Sequence, residues 1–462
     1  MTSSHYNLLS LFTGAGGFDL GLERAGFQTI LASELEPHAC TTLRYNRILC
    51  NGSSQEIESV MAQAKSQRCL SRLSDNEIDE FFRRITETKS RPKLLQNCEI
   101  VEGDIRKLSS AQVKTKLQKP LFCIAGGPPC QPFSKAGKQE SLDCKKNGTL
   151  FFEFVRLVRD LSPEWFIFEN VKGLTFTKTD VLYTICSDCS AKELANFKAR
   201  QDYNKTASPN CQRCKSSNTK WLLSREAGGS LKIILNEFRK SGYHCHSKTL
   251  NSADFGVPQY RERLFIVGSR DNHPFAWPSP THRRPQAASS QQLLFEEQHA
   301  SLPDHVTMRE ALWPHKHPHY GPIKDQSRLW VKNVVRPHDE PVTWTLNRPS
   351  PTIGAHQSAK LAFAPHGIPE AQKKRQQWAT RGQKQGDTPP VAVEHQYLTD
   401  EELLVLQSFP RWWYLHGTRM QRAFQIGNAV PPLLAQKIGE SVLNASRKFN
   451  ASNPSNFASF CT

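Results

Sequence analysis

Short apolar runs that each end abruptly on a glycine turn or a polar side chain recur through the first 270 residues of this 462-residue chain, and that pattern leaves few folds open. LLSLF runs into TGAGG, FQTILAS ends at Glu34, CEIVEG at Asp104, LFCIAGG at Pro128-Pro129-Cys130, and FIF at Glu169-Asn170. Among them lie segments with helical apolar spacing, such as FDLGLERAG, TLFFEFVRLVRDL and GGSLKIILNEFRKSG, and RLFIVGS reads as one more strand. Strand and helix alternating at this pace predict an α/β fold, a doubly wound and mostly parallel sheet covered on both faces. Open sheets of that kind place their chemistry at the carboxyl ends of the strands, so the polar residues found there are the first functional candidates.

Several segments interrupt the alternation. Residues 51–97 read as an inserted helical pair, with capping-box starts at Ser53-x-x-Glu56 and Ser74-x-x-Glu77. Residues 176–227 interrupt the path from one strand to the next helix. From 271 to 396 the sequence turns rich in Pro, His, Gln and Trp, which predicts a small irregular lobe. Order returns in 397–445, where LTDEELLVLQSFP is a capped amphipathic helix and Val430 to Leu443 another. The tail 446–462 is low in apolar residues and is expected to fray. There are no internal repeats.

Lys and Arg number 60 against 43 Asp and Glu, a net charge of +17 that points to a nucleic acid before a membrane surface or an acidic protein. No run approaches the roughly 18 apolar residues of a spanning helix. The first residues run straight into a strand with no apolar signal region, so an intracellular protein is expected. In that setting the 13 cysteines are free thiols, metal ligands or catalytic groups rather than a disulfide framework.

Gly14-Ala15-Gly16-Gly17 lies between a strand and a helix, where a backbone can turn tightly around a ligand. Glu34, twenty residues after Gly14, closes the next strand, and an acid there can accept both hydroxyls of a ribose. Position 19 is Asp where the dinucleotide fingerprint has glycine. A generic tight turn would explain the glycines alone. With Glu34 and Asp104 closing successive strands, the pattern favours a nucleoside-containing cofactor without a pyrophosphate, and S-adenosylmethionine fits.

Cys186-x-x-Cys189 and Cys211-x-x-Cys214, separated by 21 residues, can supply four thiolates to one tetrahedral structural zinc ion. Two separate redox dithiols are the alternative, but neither pair sits on a strand-to-helix turn. Lys192, Lys198, Arg200, Lys205, Arg213, Lys215 and Lys220 make the segment basic enough to meet DNA phosphates.

Read in order, FTGAGGFDLGL, ASELEPHA, GDI, GGPPCQPFS, FENVKGL, QYRERLFIVGS and QIGNAVPP resemble the motifs of the DNA cytosine-5 methyltransferases, of the bacterial restriction–modification type. The resemblance covers almost the whole chain except the insertions. It implies a Rossmann-like methyltransferase domain that binds S-adenosylmethionine through Phe12, Gly14, Gly16, Gly17, Glu34, Asp104, Pro128, Leu150, Asn428 and Ala429. It makes Cys130 a nucleophile toward cytosine C6, Glu169 the acid that bonds N3 and N4, and Arg261 and Arg263 partners of the base oxygen, a phosphate and Glu169. Asn170 is expected to orient its turn rather than touch the base. Because the base is buried in a duplex, it must be flipped out. Gln131, then Ser134, Lys135 and Lys138 in the loop 134–148, which is long enough to close over it, and Thr352 in RPSPTIGA are the implied DNA contacts.

The implied partner is double-stranded DNA read by the 271–396 lobe. A cytoplasmic monomer, nucleoid-associated when on DNA and paired with a restriction endonuclease, is expected. Two alternatives stand: a transfer-RNA cytosine methyltransferase on the same fold, and a non-catalytic zinc-ribbon DNA-binding protein.

Overall fold

A computed structural model describes residues 6–66, 83, 93–117, 119–129, 150–195, 203–285, 301–312, 328–335, 341–355, 361–364 and 396–452. Cys130, Gln131, Ser134, Lys135 and Lys138 lie outside the described residues, as does nearly all of the second helix expected in 51–97.

The chain opens with β1 (Tyr6–Leu11), α1 (Gly17–Ala25), β2 (Phe27–Glu34), α2 (Pro37–Asn51) and α3 (Ser54–Ser66). The Ser53–Glu56 capping box forms: the Glu56 carboxylate accepts from both the amide and the hydroxyl of Ser53. After it come β3 (Glu99–Glu102), α4 (Ser110–Lys114), β4 (Cys123–Gly126), α5 (Leu150–Leu161) and β5 (Trp165–Val171). An insertion supplies β6 (Lys178–Cys186), β7 (Lys192–Leu194) and β8 (Thr219–Ala227), and the main domain resumes with α6 (Gly229–Lys240), β9 (His244–Asn251) and β10 (Glu262–Ser269).

The main sheet has seven strands in the order β3-β2-β1-β4-β5-β10-β9. Strands β1 to β5 pair in parallel, and only β10 runs against its neighbours. From β1 the chain winds outward through β2 and β3, then returns to start β4 on the other side of β1. The switch of direction therefore lies between β1 and β4, and in such sheets the ligand crevice opens at the carboxyl ends of those two strands.

Both faces are covered, which is why the strands read as continuous apolar runs. Trp165, Phe166, Ile167 and Phe168 of β5 are all fully buried. Phe151 and Phe154 of α5 meet Phe168 edge-on with centroids 5.7 and 5.4 Å apart, and Phe238 of α6 stacks on Phe166 at 4.1 Å. Gly268 makes room for that ring, since a Cβ there would come within 2.1 Å of it.

Beyond residue 270 come α7 (Met308–Leu312), β11 (Arg328–Val335), β12 (Pro341–Thr345), β13 (Leu361–Ala364) and β14 (Gln396–Tyr397), followed by α8 (Asp400–Leu406), α9 (Arg419–Asn428) and α10 (Pro432–Ser452). The lobe expected to be irregular holds a four-stranded sheet, β12-β11-β13-β14, with antiparallel pairing throughout. Its strands are short and widely spaced among Pro- and His-rich segments, so no periodic signal announces them.

The tail expectation needs a correction. Helix α10 continues past Ser446 to Ser452. Ser446 is buried and donates to Glu164 Oε1 at 2.8 Å, which anchors a stretch that composition alone marks as loose. This helix packs along α1, where a Cβ on Gly21 would fall 2.3 Å from the Pro432 carbonyl. Leu434, Ile438 and Val442 are fully buried there, each side chain contributing about 1.5–3 kcal/mol. The C-terminus thus closes the domain that the N-terminus begins. No helix among the described residues is long and apolar enough to cross a membrane.

Candidate functional site

Glu169 ends the buried β5 run, and β10 brings it a partner. Because β10 is antiparallel, its first residues lie at the carboxyl edge of β5, with Arg263 opposite Val171 and Phe265 opposite Glu169. Arg263 is therefore the diagonal same-face neighbour of Glu169, and its Nε sits 3.1 Å from Glu169 Oε1. Burial raises the Glu169 carboxyl above its ordinary range, and the charges of Arg263 and Arg261 pull it partly back. The result is an acid with a raised affinity for its proton, aligned by a cation.

The strand bearing the Pro-Pro-Cys turn meets this pair. Strand β4 lies between β1 and β5, and a Cβ on Gly127 would come within 2.5 Å of Glu169 Oε2. A side chain at 127 would have to displace the carboxylate from this position. Asn170 donates to the Pro128 carbonyl at 3.3 Å and accepts from its neighbour's amide, Val171 N, at 2.8 Å, so it orients the turn as expected. The segment thus passes the acid at Gly127 and is described as far as Pro129, one residue short of Cys130.

At the other side of the switch point, the turn after β1 begins with Phe12 in the left-handed region (φ 56°), a conformation that costs a non-glycine residue energy and clusters at functional sites. Gly14 is also left-handed (φ 57°), and a Cβ there would meet nothing within 4 Å, so its backbone faces open space. The Glu34 carboxylate lines that space. It accepts from Gly14 N at 2.8 Å through Oε2 and from Leu35 N and Glu36 N at 2.8 and 2.9 Å through Oε1. Three amides leave acceptor capacity for a hydroxyl. Leu35, 64% exposed beside it, offers an apolar surface that the sequence reading missed, although it follows Glu34 directly. These residues fit a nucleoside: an open cradle over glycine, a preorganised carboxylate and an apolar flank. Asp104 caps the turn after β3 and is held by Arg106, with Nη2 to Oδ2 at 2.7 Å. In the first turn of α1, buried Asp19 has its carboxyl pushed up to about 7, chiefly by burial.

Gly16 and Gly17 play a different part from Gly14. A Cβ on Gly16 would run into Leu43 at 2.7 Å, and one on Gly17 into the Val430 carbonyl at 2.4 Å and the Phe409 ring at 2.7 Å. Their small size serves packing against α2 and the C-terminal segment, where Trp413 also donates to the Ala15 carbonyl at 3.1 Å. Ala429 is buried at the end of α9, Asn428 is exposed there, and Leu150 starts α5 against the core.

Arg261 corrects the expectation that both arginines face the base. It precedes β10, so strand alternation does not align it with Arg263. Its side chain is fully buried and donates to two carbonyls, Ile353 O at 3.1 Å and Gly427 O at 2.9 Å. Thr352 is exposed next to that contact and donates to the Tyr260 carbonyl at 2.7 Å.

The four cysteines converge on the insertion. Sγ of Cys186 lies 3.5 Å from Cys214, Cys189 lies 3.6 Å from Cys211, and all four sulfurs fall within 4.8 Å of one another. A disulfide would require about 2.05 Å, whereas thiolates about 2.3 Å from a central zinc stand roughly 3.8 Å apart. The two turns repeat each other. Cys186 N donates to Ala191 O and Cys211 N to Ser216 O, both at 2.9 Å, and the residue after each second cysteine, Ser190 or Lys215, is left-handed (φ 55° and 64°). The Cys214 amide leads the groups that lower the Cys211 thiol to about 7.

A family profile for C-5 cytosine-specific DNA methylases matches residues 6–79, 70–191 and 217–444. The chain is similar to the type II methyltransferase M1.HphI of Haemophilus parahaemolyticus, 28% identical over 94% of this chain and 86% of that one. It is 30% identical to the type II methyltransferase M.AquIA of Picosynechococcus sp. over 66% of this chain and 87% of that one. To the type II methyltransferase M.NgoMIV of Neisseria gonorrhoeae it is 25% identical over 96% of this chain and 99% of that one.

Proposed function

The chain belongs to the C-5 cytosine-specific DNA methylase family, and on that premise we propose that Cys130, Glu169 and Arg263 carry its chemistry at the carboxyl edge of the main sheet. The activity is transfer of a methyl group to C5 of cytosine in DNA, as in restriction–modification, and S-adenosylmethionine is the methyl donor that the family uses. When bound, it supplies an electrophilic methyl group and leaves as the neutral thioether.

Cytosine C5 is a weak nucleophile. Addition of the Cys130 thiolate at C6 moves the C5–C6 π pair to C5, where it can take the methyl group. As charge builds on the ring, Glu169 gives its proton to N3, a role favoured by the burial that raises its affinity for the proton. Arg263 holds the carboxyl in place and stabilises it once ionised. Loss of the C5 proton to a base, departure of the thiolate and return of the N3 proton to Glu169 restore the double bond, the neutral base and the acid. The observation that carries this reading is the buried Glu169–Arg263 pair abutting Gly127, on the strand that leads into Cys130.

Gly14, Glu34 and Leu35 would hold the nucleoside of the donor, with Phe12 shaping the turn and Asp104, Pro128, Leu150, Asn428 and Ala429 around it. Gln131, Ser134, Lys135, Lys138 and Thr352 would engage the DNA backbone around a flipped base, and the β11–β14 lobe would read the duplex. Cys186, Cys189, Cys211 and Cys214 would hold one zinc ion in a closed site with no open coordination position, so its part is structural. The repeated turn geometry supports this reading. We read the enzyme as a cytoplasmic monomer, on the nucleoid when bound to DNA and paired with a restriction endonuclease.

Bisulfite sequencing of DNA from cells expressing the gene tests the substrate. Cytosines protected at one recurring duplex sequence are expected. Unprotected DNA with a protected cytosine in transfer RNA would overturn the reading.

A further inference from the structure

Arg261 is an expensive residue to bury, because a guanidinium away from water loses its hydration; its side-chain hydrogen-bond acceptors here are neutral carbonyls, and the charge of Glu169 offsets only part of the loss. Its Nε has no hydrogen-bond partner among the described residues. The two bonds it does make join separate parts of the chain: the Ile353 carbonyl in the strap 350–355 and the Gly427 carbonyl at the end of α9. A planar fork can reach two such acceptors at once, and an ammonium on a single stem holds them less rigidly.

Gln259 completes the grip. Also fully buried, it accepts from Ile353 N at 3.1 Å and donates to the Leu406 carbonyl at 3.3 Å. The Ile353 residue is thus held at its amide by Gln259 and at its carbonyl by Arg261. Backbone pairing extends the contact, with Tyr260 N to Ser350 O at 2.8 Å and Ser350 N to Pro258 O at 2.9 Å. On the far side the strap lies against α9 so closely that a Cβ on Gly427 would come within 2.4 Å of Ala355 Cα. Thr352, exposed and bonded to Tyr260, is the residue just before this clamped position. One residue after Arg261 the same segment becomes β10, whose second residue, Arg263, pairs with Glu169.

We propose that Gln259 and Arg261 are positioning residues that hold the strap bearing Thr352 in register with the Glu169–Arg263 pocket, and that they act on engagement of the flipped nucleotide rather than by touching the base. This rests on the site reading above. Formation of a Cys130 adduct by the unaltered enzyme tests that reading separately.

Steady-state kinetics on a duplex carrying the recognition site with an unmethylated target cytosine, and on the same duplex with a mismatch at the target pair, separate the roles. A mismatch lowers the unpairing cost and so relieves a defect in holding the extruded base. Arg261→Met is expected to raise KM for DNA and lower kcat, for a combined loss of about 10- to 100-fold in kcat/KM. KM for S-adenosylmethionine should stay within about twofold, the mismatch should restore most of the loss, and Arg261→Lys should fall in between. Arg263→Met should lose kcat on both duplexes without rescue. Gln259→Met leaves the guanidinium in place and should repeat the Arg261→Met pattern more weakly, so it carries the test if the arginine variant does not fold. A loss in kcat alone with no mismatch rescue would assign Arg261 to the base itself. Equal shifts in KM for DNA and for S-adenosylmethionine, with a lowered Tm, would reduce the clamp to general stability. Either result overturns the proposal.

Discussion

The carboxyl edge of the main sheet and the three-stranded insertion both bring cysteines to a polar turn, and their surroundings differ in kind. At the sheet edge a single thiol follows a strand that abuts one buried acid paired with one arginine. In the insertion four thiols face one another within 4.8 Å, on two turns of the same construction. A reacting thiol has to be without competing ligands and beside a group that can manage protons, whereas a structural metal needs its coordination sphere filled. On the proposed reading, the same side chain would serve a reaction in one place and a scaffold in the other because of its neighbours.

That contrast can be broken at either end. The largest effect is expected at the single thiol: Cys130→Ser should lower methyl transfer by about 10⁴-fold or more, measured with labelled methyl donor, while Cys189→Ala should lower it by less than about tenfold. Comparable losses from both would erase the distinction. Glu169→Gln should cost about 10²–10⁴ in kcat. The buried carboxyl keeps its proton above the ordinary range and gives it up as pH rises. The unaltered enzyme should therefore lose rate on the alkaline side, and a profile unchanged in the Gln variant would remove Glu169 from the proton transfer.

The insertion is expected to show its metal in composition and stability. Elemental analysis of purified protein should find one zinc ion per chain, and Cys211→Ser should abolish it and lower Tm by roughly 5 °C or more. Protein free of zinc but with intact thiols and unchanged Tm would leave the cluster without a ligand.

The smallest effect concerns Asp19, beside the cofactor turn. Its carboxyl titrates near 7 when folded, far above the unfolded value near 4, so ionisation opposes folding. Stability should fall as pH rises from about 4 to about 7 and then level off. Asp19→Asn should remove that slope and gain up to about 4 kcal/mol at pH 8. Denaturant titrations at pH 4, 6 and 8 measure it, and an equal difference at all three would contradict the assignment.

Much of the main sheet was legible because burial on both faces writes apolar strands without alternation, and each stops at a glycine or an acid. The partners of those ends were less so. Arg263 and Glu169 come together only because β10 runs antiparallel, which no local pattern in RLFIVGS records. Arg261, two residues away, reads the same as Arg263 in sequence, yet it precedes the strand and turns to carbonyls contributed by residues 353 and 427. Gly16 and Gly17 read as cofactor glycines, and no local pattern records the packing they also allow, of Gly16 against Leu43 and Trp413 and of Gly17 against Val430 and Phe409. The convergence of the thiols at 186–214 was legible because a pair of Cys-x-x-Cys turns needs only short-range spacing. In the lobe beyond residue 270, four short strands pair across long gaps that leave no periodic trace.

The most direct test of the central claim is covalent trapping on duplex DNA in which the target cytosine is replaced by 5-fluorocytosine. Fluorine cannot leave as the C5 proton does, so a thiol that adds to C6 stays attached after methyl transfer. The account predicts a denaturant-stable complex that requires S-adenosylmethionine, with the nucleotide mapped by peptide mass to Cys130. No complex, or one mapped to Cys186, Cys189, Cys211 or Cys214, would contradict it.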